Sequence, residues 1–475
     1  MGLREQVPNE LWLEIFRSLP PDALKNLSLT YTKFKGISRP LLFNEFHFHP
    51  YASGQRDDIL LPGPTEVNQS MERLEFWCSD EIAPNVRSCT MTPWRKLGPV
   101  WSSWNFAATS TPYILLVPFF ERLRAFTCLQ ELSAYGIRFT QSGVTNLCRA
   151  SALTNLRLEN CSITIGEHID TSSLSLGVAR FAFHHMVTGA AGNGDVWLPL
   201  LRPECLQELD LTLNPSLFGD EISIPSFPHV HTFTTTMNLS TMSYNLSILA
   251  KFPAVRTFST HGWGQLQDGP DVLAEASFTF LGLQQYTGPC ETMALFLHRP
   301  TLTHLTIGYC SPFALITQLE RIGGSNNITS LTASFDNLDI AMLGTICAFF
   351  PTLTELRIDA TSQVEYNVAD DTQGATGFFT ELAEITTLPT ALERLGLTCV
   401  FEYDDPETAP PAADVPEFSE LRDALVARYP SLTALWFDGQ DFLFHWRKLL
   451  DGSEVEDTAE DAGEYISESH YFPLL

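Results

Sequence analysis

The constraint that bears hardest on this chain is a short aliphatic segment that returns about every 25 residues. Leu-x-x-Leu-x-Leu, or a looser aliphatic equivalent, begins at Leu129, Leu153, Val178, Leu206, Val230 and Val255, with successive spacings of 24, 25, 28, 24 and 25. It begins again at Leu302, Ile328 and Leu353, spaced by 26 and 25, and further copies start at Leu392 and Leu432. LQQYTGPC at Leu283 fills the gap before Leu302, and MERLEFWC and VRSCTMTPW upstream read as degenerate opening copies. Alternation of side chains makes each segment a strand with one apolar face. A lone strand cannot bury that face, so a fixed period demands that successive units stack.

Apolar stretches such as YNLSILAKFP, ETMALFLHRP and AMLGTICAFFP lie between the strands, each suited to a helix ended by its proline. One strand and one helix per repeat, at this period, is the pattern of a leucine-rich repeat. The expected fold is therefore α/β: a curved solenoid over residues 70–440, with parallel strands inside and helices outside. A chain of 475 residues with 44 % hydrophobic and 18 % charged content can fill such an interior. The residues flanking the last leucine of each segment face outward on the concave side. Tyr135, Arg157, Glu159, Asp210, His261, Arg357, Asp359, Trp436 and Asp438 are the candidate target-binding positions. Trp436 stands out among them, because an outward indole is costly to leave wet: it is expected either to meet a target or to pack under the acidic tail. Two insertions break the period: FEYDDPETAPPAADVPEF from Phe401 to Phe418, and TGAAGNGDVW near Gly192, both expected as loops.

Residues 1–48 follow a different rule. Leu11, Ile15, Phe16 and Leu19 recur at helical spacing after Pro8, and this first helix is expected to stop at Leu19 before Pro20 and Pro21. Pro21 and Asp22 open a second helix carrying Leu24 and Leu27, and a third holds Phe34 and Ile37 and is expected to end near Arg39, ahead of Pro40. Three such helices expose more apolar surface than they can bury among themselves, so the solenoid or another protein must cover a stripe. Val7, Pro8, Glu10, Leu11, Ile15, Phe16, Leu19, Leu24, Leu27, Lys33 and Phe34, closing with PLLF at 40–43, resemble in order and spacing the F-box family. Val7 replaces that family's usual leucine, and Thr30-Tyr31 its usual Val-Cys. The resemblance implies docking on a Skp-type adaptor and, through it, on a cullin. Pro8, Leu11, Ile15, Phe16, Leu19, Leu24, Leu27 and Phe34 are then the adaptor-binding residues it implies.

Charge and motif exclude other classes. A net charge of −28 with no basic run repels nucleic-acid phosphate and anionic lipid, so neither partner is expected. Residues 401–475 hold 18 acidic against 4 basic side chains, which predicts a solvated acidic tail from 441 to 475 and favours a basic target. PYILLVPFF at 112–120 is about half a bilayer span, and no apolar leader opens the sequence. Ten scattered cysteines without a C-x-x-C pair suit free thiols in a reducing compartment, cytoplasmic or nuclear. No Gly-Lys, G-x-G-x-x-G, G-x-S-x-G or H-E-x-x-H occurs, so no catalytic residue, cofactor or metal is assigned. His47 with His49, and His229 with His231, share strand faces but lack a third ligand and read as ordinary strand histidines.

The expectation is a non-catalytic substrate-recognition subunit of a ubiquitin ligase, with the F-box on the adaptor and the solenoid on a target. The alternatives are a repeat scaffold unconnected to ubiquitin, whose N-terminal helices only cap the first repeat, and a hydrolase or transferase whose pocket no motif announces.

Overall fold

The aliphatic segments do form strands, and several of them are stitched to the preceding strand by the same device. In L-T-x-L, the threonine hydroxyl donates to a carbonyl in the preceding repeat. Thr154 reaches Gln130 O at 3.1 Å, Thr329 reaches Thr303 O at 3.3 Å, Thr354 reaches Thr329 O at 3.1 Å and Thr433 reaches Glu393 O at 3.1 Å. The same carbonyl accepts two backbone N–H groups, as Gln130 O does from Thr154 and Asn155 at 2.8 and 2.9 Å. Three donors on one oxygen hold the axial register of neighbouring strands.

The computed structural model describes residues 8–50, 52–53, 59–60, 63–92, 115–163, 173–185, 194–213, 224–263, 279–336, 340–362, 375–401, 418–439, 443–449 and 451–458. The chain divides into two units, residues 1–235 and 236–475.

In the first unit, helices α1 (Asn9–Arg17), α2 (Pro21–Thr30) and α3 (Thr32–Leu42) precede β1 (Glu45–Phe48). A two-residue pair, β2 (Ala52–Ser53) and β3 (Ile59–Leu60), follows, then α4 (Pro64–Trp77) and β4 (Ser88–Met91). MERLEFWC is therefore the end of a helix and not an opening strand, because Met71, Leu74 and Cys78 are spaced for 3.6 residues per turn. β5 (Glu131–Tyr135), β7 (Asn155–Glu159), β9 (Arg180–His184) and β10 (Glu208–Leu213) continue the sheet in parallel register. A second, minor ladder pairs β6 (Arg138–Phe139) with β8 (Ser162–Ile163). Inward residues such as Leu132, Leu156, Phe181 and Leu209 are buried, and α5 (Leu116–Arg122), α6 (Gln141–Cys148) and α7 (Gly194–Leu200) close the outside with Phe119, Leu147 and Trp197. Each such side chain contributes about 1.5–3 kcal/mol on leaving water. β11 (Thr232–Asn238) lies at the division.

The second unit repeats the plan with β12 (Thr257–Trp263), β13 (Gln285–Gly288), β14 (His304–Cys310), β15 (Ser330–Phe335), β16 (Glu355–Ser362), β17 (Arg394–Phe401) and β18 (Ala434–Gly439), successive neighbours all parallel. Helices Met242–Leu249, Pro312–Ile322, Ile340–Ala348, Ala375–Glu384 and Phe418–Arg428 alternate with these strands. The helix expected in ETMALFLHRP is a single turn, Cys290–Met293, followed by successive turns.

The acidic end departs from expectation. Residues 443–458 are not a solvated tail: β19 (Leu443–Lys448) pairs antiparallel with β18, and β20 (Glu454–Thr458) pairs antiparallel with β19. Phe444 and Trp446 supply the buried face. The reversal is built at Asp451-Gly452-Ser453, where Gly452 takes φ +83° and the Ser453 N–H and hydroxyl donate to Asp451 Oδ1 at 2.9 and 2.6 Å. Those bonds hold the Asp451 carboxyl below its ordinary pKa. The acids that disguise this hairpin as a tail line β20, where charge blocks edge-to-edge pairing. Residues 459–475, the expected loop at 402–417 and residues 188–193 of the other insertion lie outside the described residues, while the rest of that insertion, Gly194 to Trp197, opens α7 instead of continuing a loop.

Candidate functional site

The three N-terminal helices enclose a small core of Phe16, Leu24 and Phe34, with Trp12, Leu19, Leu27, Ile37, Leu41 and Leu42 packed around it. Phe16 meets Phe34 edge-on at 5.3 Å between centroids, and Trp12 lies 4.9 Å from Phe34. This corrects the expected adaptor surface. Phe16, Leu24 and Phe34 are the module's own interior, and Leu19 and Leu27 are half-buried against it, so none of these five offers a free ridge. Pro8, Leu11 and Ile15 remain outside, with Leu11 55 % and Ile15 47 % exposed. Leu29 and Tyr31, at the α2–α3 corner, are also exposed.

Two boundaries differ from the sequence reading. α1 stops at Arg17, where the Ser18 hydroxyl caps Ile15 O and Leu19 N–H bonds Phe16 O. α3 runs through Pro40 to Leu42, because Leu41 and Leu42 reach the module core and Phe43 N–H closes the last turn on Arg39 O at 3.0 Å. The end of α3 is anchored by Arg39 to Glu81 at 2.9 Å and by Phe43 against Phe76 and Trp77.

On the first unit's sheet, a shallow groove of about 360 Å³ crosses β5, β7, β9 and β10. Its floor is a ladder of outward side chains in lateral register: Glu131, Asn155, Arg180 and Glu208 in one row, and Ser133, Arg157, Ala182 and Asp210 in the next. Asn155 donates to Glu131 at 2.9 Å, Arg180 pairs with Glu208 at 3.1 Å, and Arg157 pairs with Glu159. His184 Nε2 meets Asp210 Oδ2 at 3.0 Å, while Asp210 Oδ1 has no partner among the described residues. Tyr135 stands beside Glu159; burial, and then that carboxylate, push the phenol above its ordinary pKa. Tyr135, Arg157, Glu159 and Asp210, expected as separate positions, thus form one cluster. Glu131, Asn155, Arg180, His184 and Glu208 complete it. They were legible from the same period of two, because four of them occupy the outward position just before each strand's first inward residue.

The second unit's candidates are more scattered. His261 is exposed on β12. Arg357 pairs with Asp359 at 3.7 Å, and Asp359 lies level with Thr398 and Asp438. The neighbouring row, missed by the flanking rule, holds Ser330, Glu355 and Arg394, with Arg394 on Glu355 at 2.7 Å and Ser330 donating to Glu355 at 3.2 Å. Of the two readings of Trp436, the covered one holds and the target contact does not: only 6 % exposed, its indole stacks on His445 of β19 with centroids 3.4 Å apart. The folded-back hairpin has covered the ring that the sequence leaves looking outward. Among the described residues no cluster of three or more His, Cys, Asp or Glu side chains could hold a metal, and no helix is long and apolar enough to cross a membrane.

No protein-family model matches the sequence, and no curated protein matches it either. One solved structure similar to this chain is the leucine-rich repeat-containing protein LegL7 from Legionella pneumophila, at 16 % identity and a TM-score of 0.31, covering 53 % of this chain and 85 % of that one. The class is therefore defined by the chain's own geometry: parallel strands in register, one per repeat with helices between, in the manner of a leucine-rich repeat. Such a fold presents its sheet face as a broad binding surface.

Proposed function

We propose that this chain is a substrate receptor of an F-box-type ubiquitin ligase, holding a Skp-type adaptor with α1 and a target protein on its sheet faces. The observation that carries the reading is the division of α1 into two stripes. Trp12 and Phe16 turn into the three-helix core, whereas Leu11 and Ile15, one turn apart, stay exposed beside Pro8. Two aliphatic side chains held in water on a helix whose module already has a core are placed to be buried by another chain. The ordered resemblance of residues 7–34 to the F-box pattern supports the same assignment. Ubiquitin chemistry then belongs to other subunits, and this chain contributes proximity.

Target selection falls to the groove of the first unit. Its two arginines are already satisfied by Glu159 and Glu208, and Asp210 is held by His184, which leaves the exposed Glu131 carboxylate as the charged group facing an incoming ligand. That balance favours a lysine- or arginine-bearing segment of the target.

Co-purification of the full chain with a recombinant Skp-type adaptor tests the first half. The wild type should form a stoichiometric complex, and the Leu11→Asp, Ile15→Asp double variant should lose it while keeping its circular-dichroism spectrum. No complex with the wild type removes the ligase reading. It leaves the repeat scaffold whose helices are anchored through Arg39 and Phe43 as a cap.

A further inference from the structure

Two thiols meet at one rim of the second unit. Cys290 opens the single-turn helix just past β13, Cys310 ends β14, and both are free. β13 and β14 run parallel with Gly288 level with Ile307. β14 is irregular beyond that point: against β15, Ile307 faces Ala333 but Cys310 faces Phe335, so β14 spends one extra residue there. Cys290 lies two residues past Gly288, as the first residue of the helix that follows β13, and Cys310 lies three residues past Ile307, beyond the same end of the neighbouring strand pair. The neighbouring Cys310 thiol, followed by burial, raises the Cys290 pKa. Adjacent strands sit about 4.8 Å apart, so residues just past the same ends of β13 and β14 start close to the Cα separation of roughly 4.4–6.8 Å that a disulfide spans.

We propose that Cys290 and Cys310 form a reversible oxidation site, at which a hydroperoxide closes a disulfide between two successive repeats. Cys310 reacts first. It is part-exposed and flanked by the exposed rings of Tyr309 and Phe313, whereas Cys290 is 1 % exposed. The Cys310 sulfur attacks the terminal peroxide oxygen, breaking the O–O bond, and the leaving oxygen takes the thiol proton to depart as water or alcohol. The Cys290 sulfur then attacks the resulting sulfenic acid, breaking its S–O bond, and its own proton leaves with the oxygen as water. The peroxide is reduced by two electrons and the two thiols are oxidised by two. The raised pKa of Cys290 makes this second step the slow one, accelerating as pH rises. The bond ties β14's bulge, and the exposed Tyr309 it carries, to the preceding repeat.

The test uses the full-length reduced chain treated with hydrogen peroxide, alkylated under denaturation and digested without reductant for mass spectrometry. The expected product is a Cys290–Cys310 cross-linked peptide pair, abolished by dithiothreitol, with Cys161 still alkylated. Cys161 serves as an internal control because it is fully buried, its thiol pKa is raised to about 12 and its Sγ is hydrogen-bonded to Ala134 O. The Cys290→Ser variant should lose the cross-link and accumulate a dimedone-reactive sulfenic acid at Cys310. Recovery of both cysteines alkylated while other thiols are oxidised overturns the proposal. So does cross-linking of either one to a different cysteine, and the wild-type peptide map decides between these outcomes without any variant having to fold.

Discussion

Phe16→Ala and Ile15→Ala, adjacent on α1, should differ sharply. Phe16 is 1 % exposed and packs edge-on against Phe34, whereas Ile15 is 47 % exposed. Truncating a buried phenylalanine costs about 3–5 kcal/mol. Ile15 has only about half of its side chain to lose, and full burial of an isoleucine is worth about 1.5–3 kcal/mol, so its truncation costs about 1 kcal/mol. The chain has two units, so a single unfolding free energy is ill-defined, and the suitable observable is hydrogen exchange of peptides covering α1 to α3. At about 1.4 kcal/mol per tenfold, Phe16→Ala should accelerate exchange across all three helices by more than about a hundredfold, and Ile15→Ala by about fivefold. Equal acceleration by the two, or a larger effect from Ile15, would refute the assignment of α1's inner and outer faces.

Gly324→Ala should destabilise the second unit by about 1–3 kcal/mol, because a Cβ there would meet Phe349 O at 2.1 Å; a fall in its thermal midpoint measures this. Thr329→Val removes one staple to Thr303 O but leaves that carbonyl its two N–H donors, so a local loss of about 0.5–1 kcal/mol is expected, read as faster hydrogen exchange in peptides covering β14 and β15. His185 is 7 % exposed with both ring nitrogens unpartnered among the described residues, and burial holds its pKa below the ordinary value. The unfolded chain therefore binds this proton more readily. The His185 contribution should be constant above about pH 6.5 and decline as pH falls through that value toward the folded pKa. His185→Leu should flatten that part of a stability–pH curve, and an unchanged slope would contradict the burial.

The repeats were readable because alternation by two and return near 25 are both properties of order along the chain, and LTNLRLENC and LTELRIDA sit on their strands as spaced. The rotation of α1 was not readable. Leu11 with Ile15, and Trp12 with Phe16 and Leu19, form two adjacent stripes of nearly equal hydrophobicity, and only the approach of Phe34 from α3 decides which turns inward. Trp436 was left between two readings for a related reason: its partner His445 comes from a strand whose acidic successor reads as a solvated tail, so L-T-A-L-W-F itself does not decide between a target and the chain's own end. The first unit's groove was half legible. The rule of residues flanking the last leucine finds Arg157 and Asp210, but not Arg180 and Glu208, which the same alternation also places outward.

The most direct measurement of the adaptor reading is a hydrogen-exchange footprint of the full chain with and without a saturating Skp-type adaptor. Slowed exchange confined to peptides carrying Pro8, Leu11 and Ile15, together with the α2–α3 corner at Leu29 and Tyr31, is the expected result. An identical exchange pattern with adaptor present, or protection that appears only on the sheet faces, would contradict it.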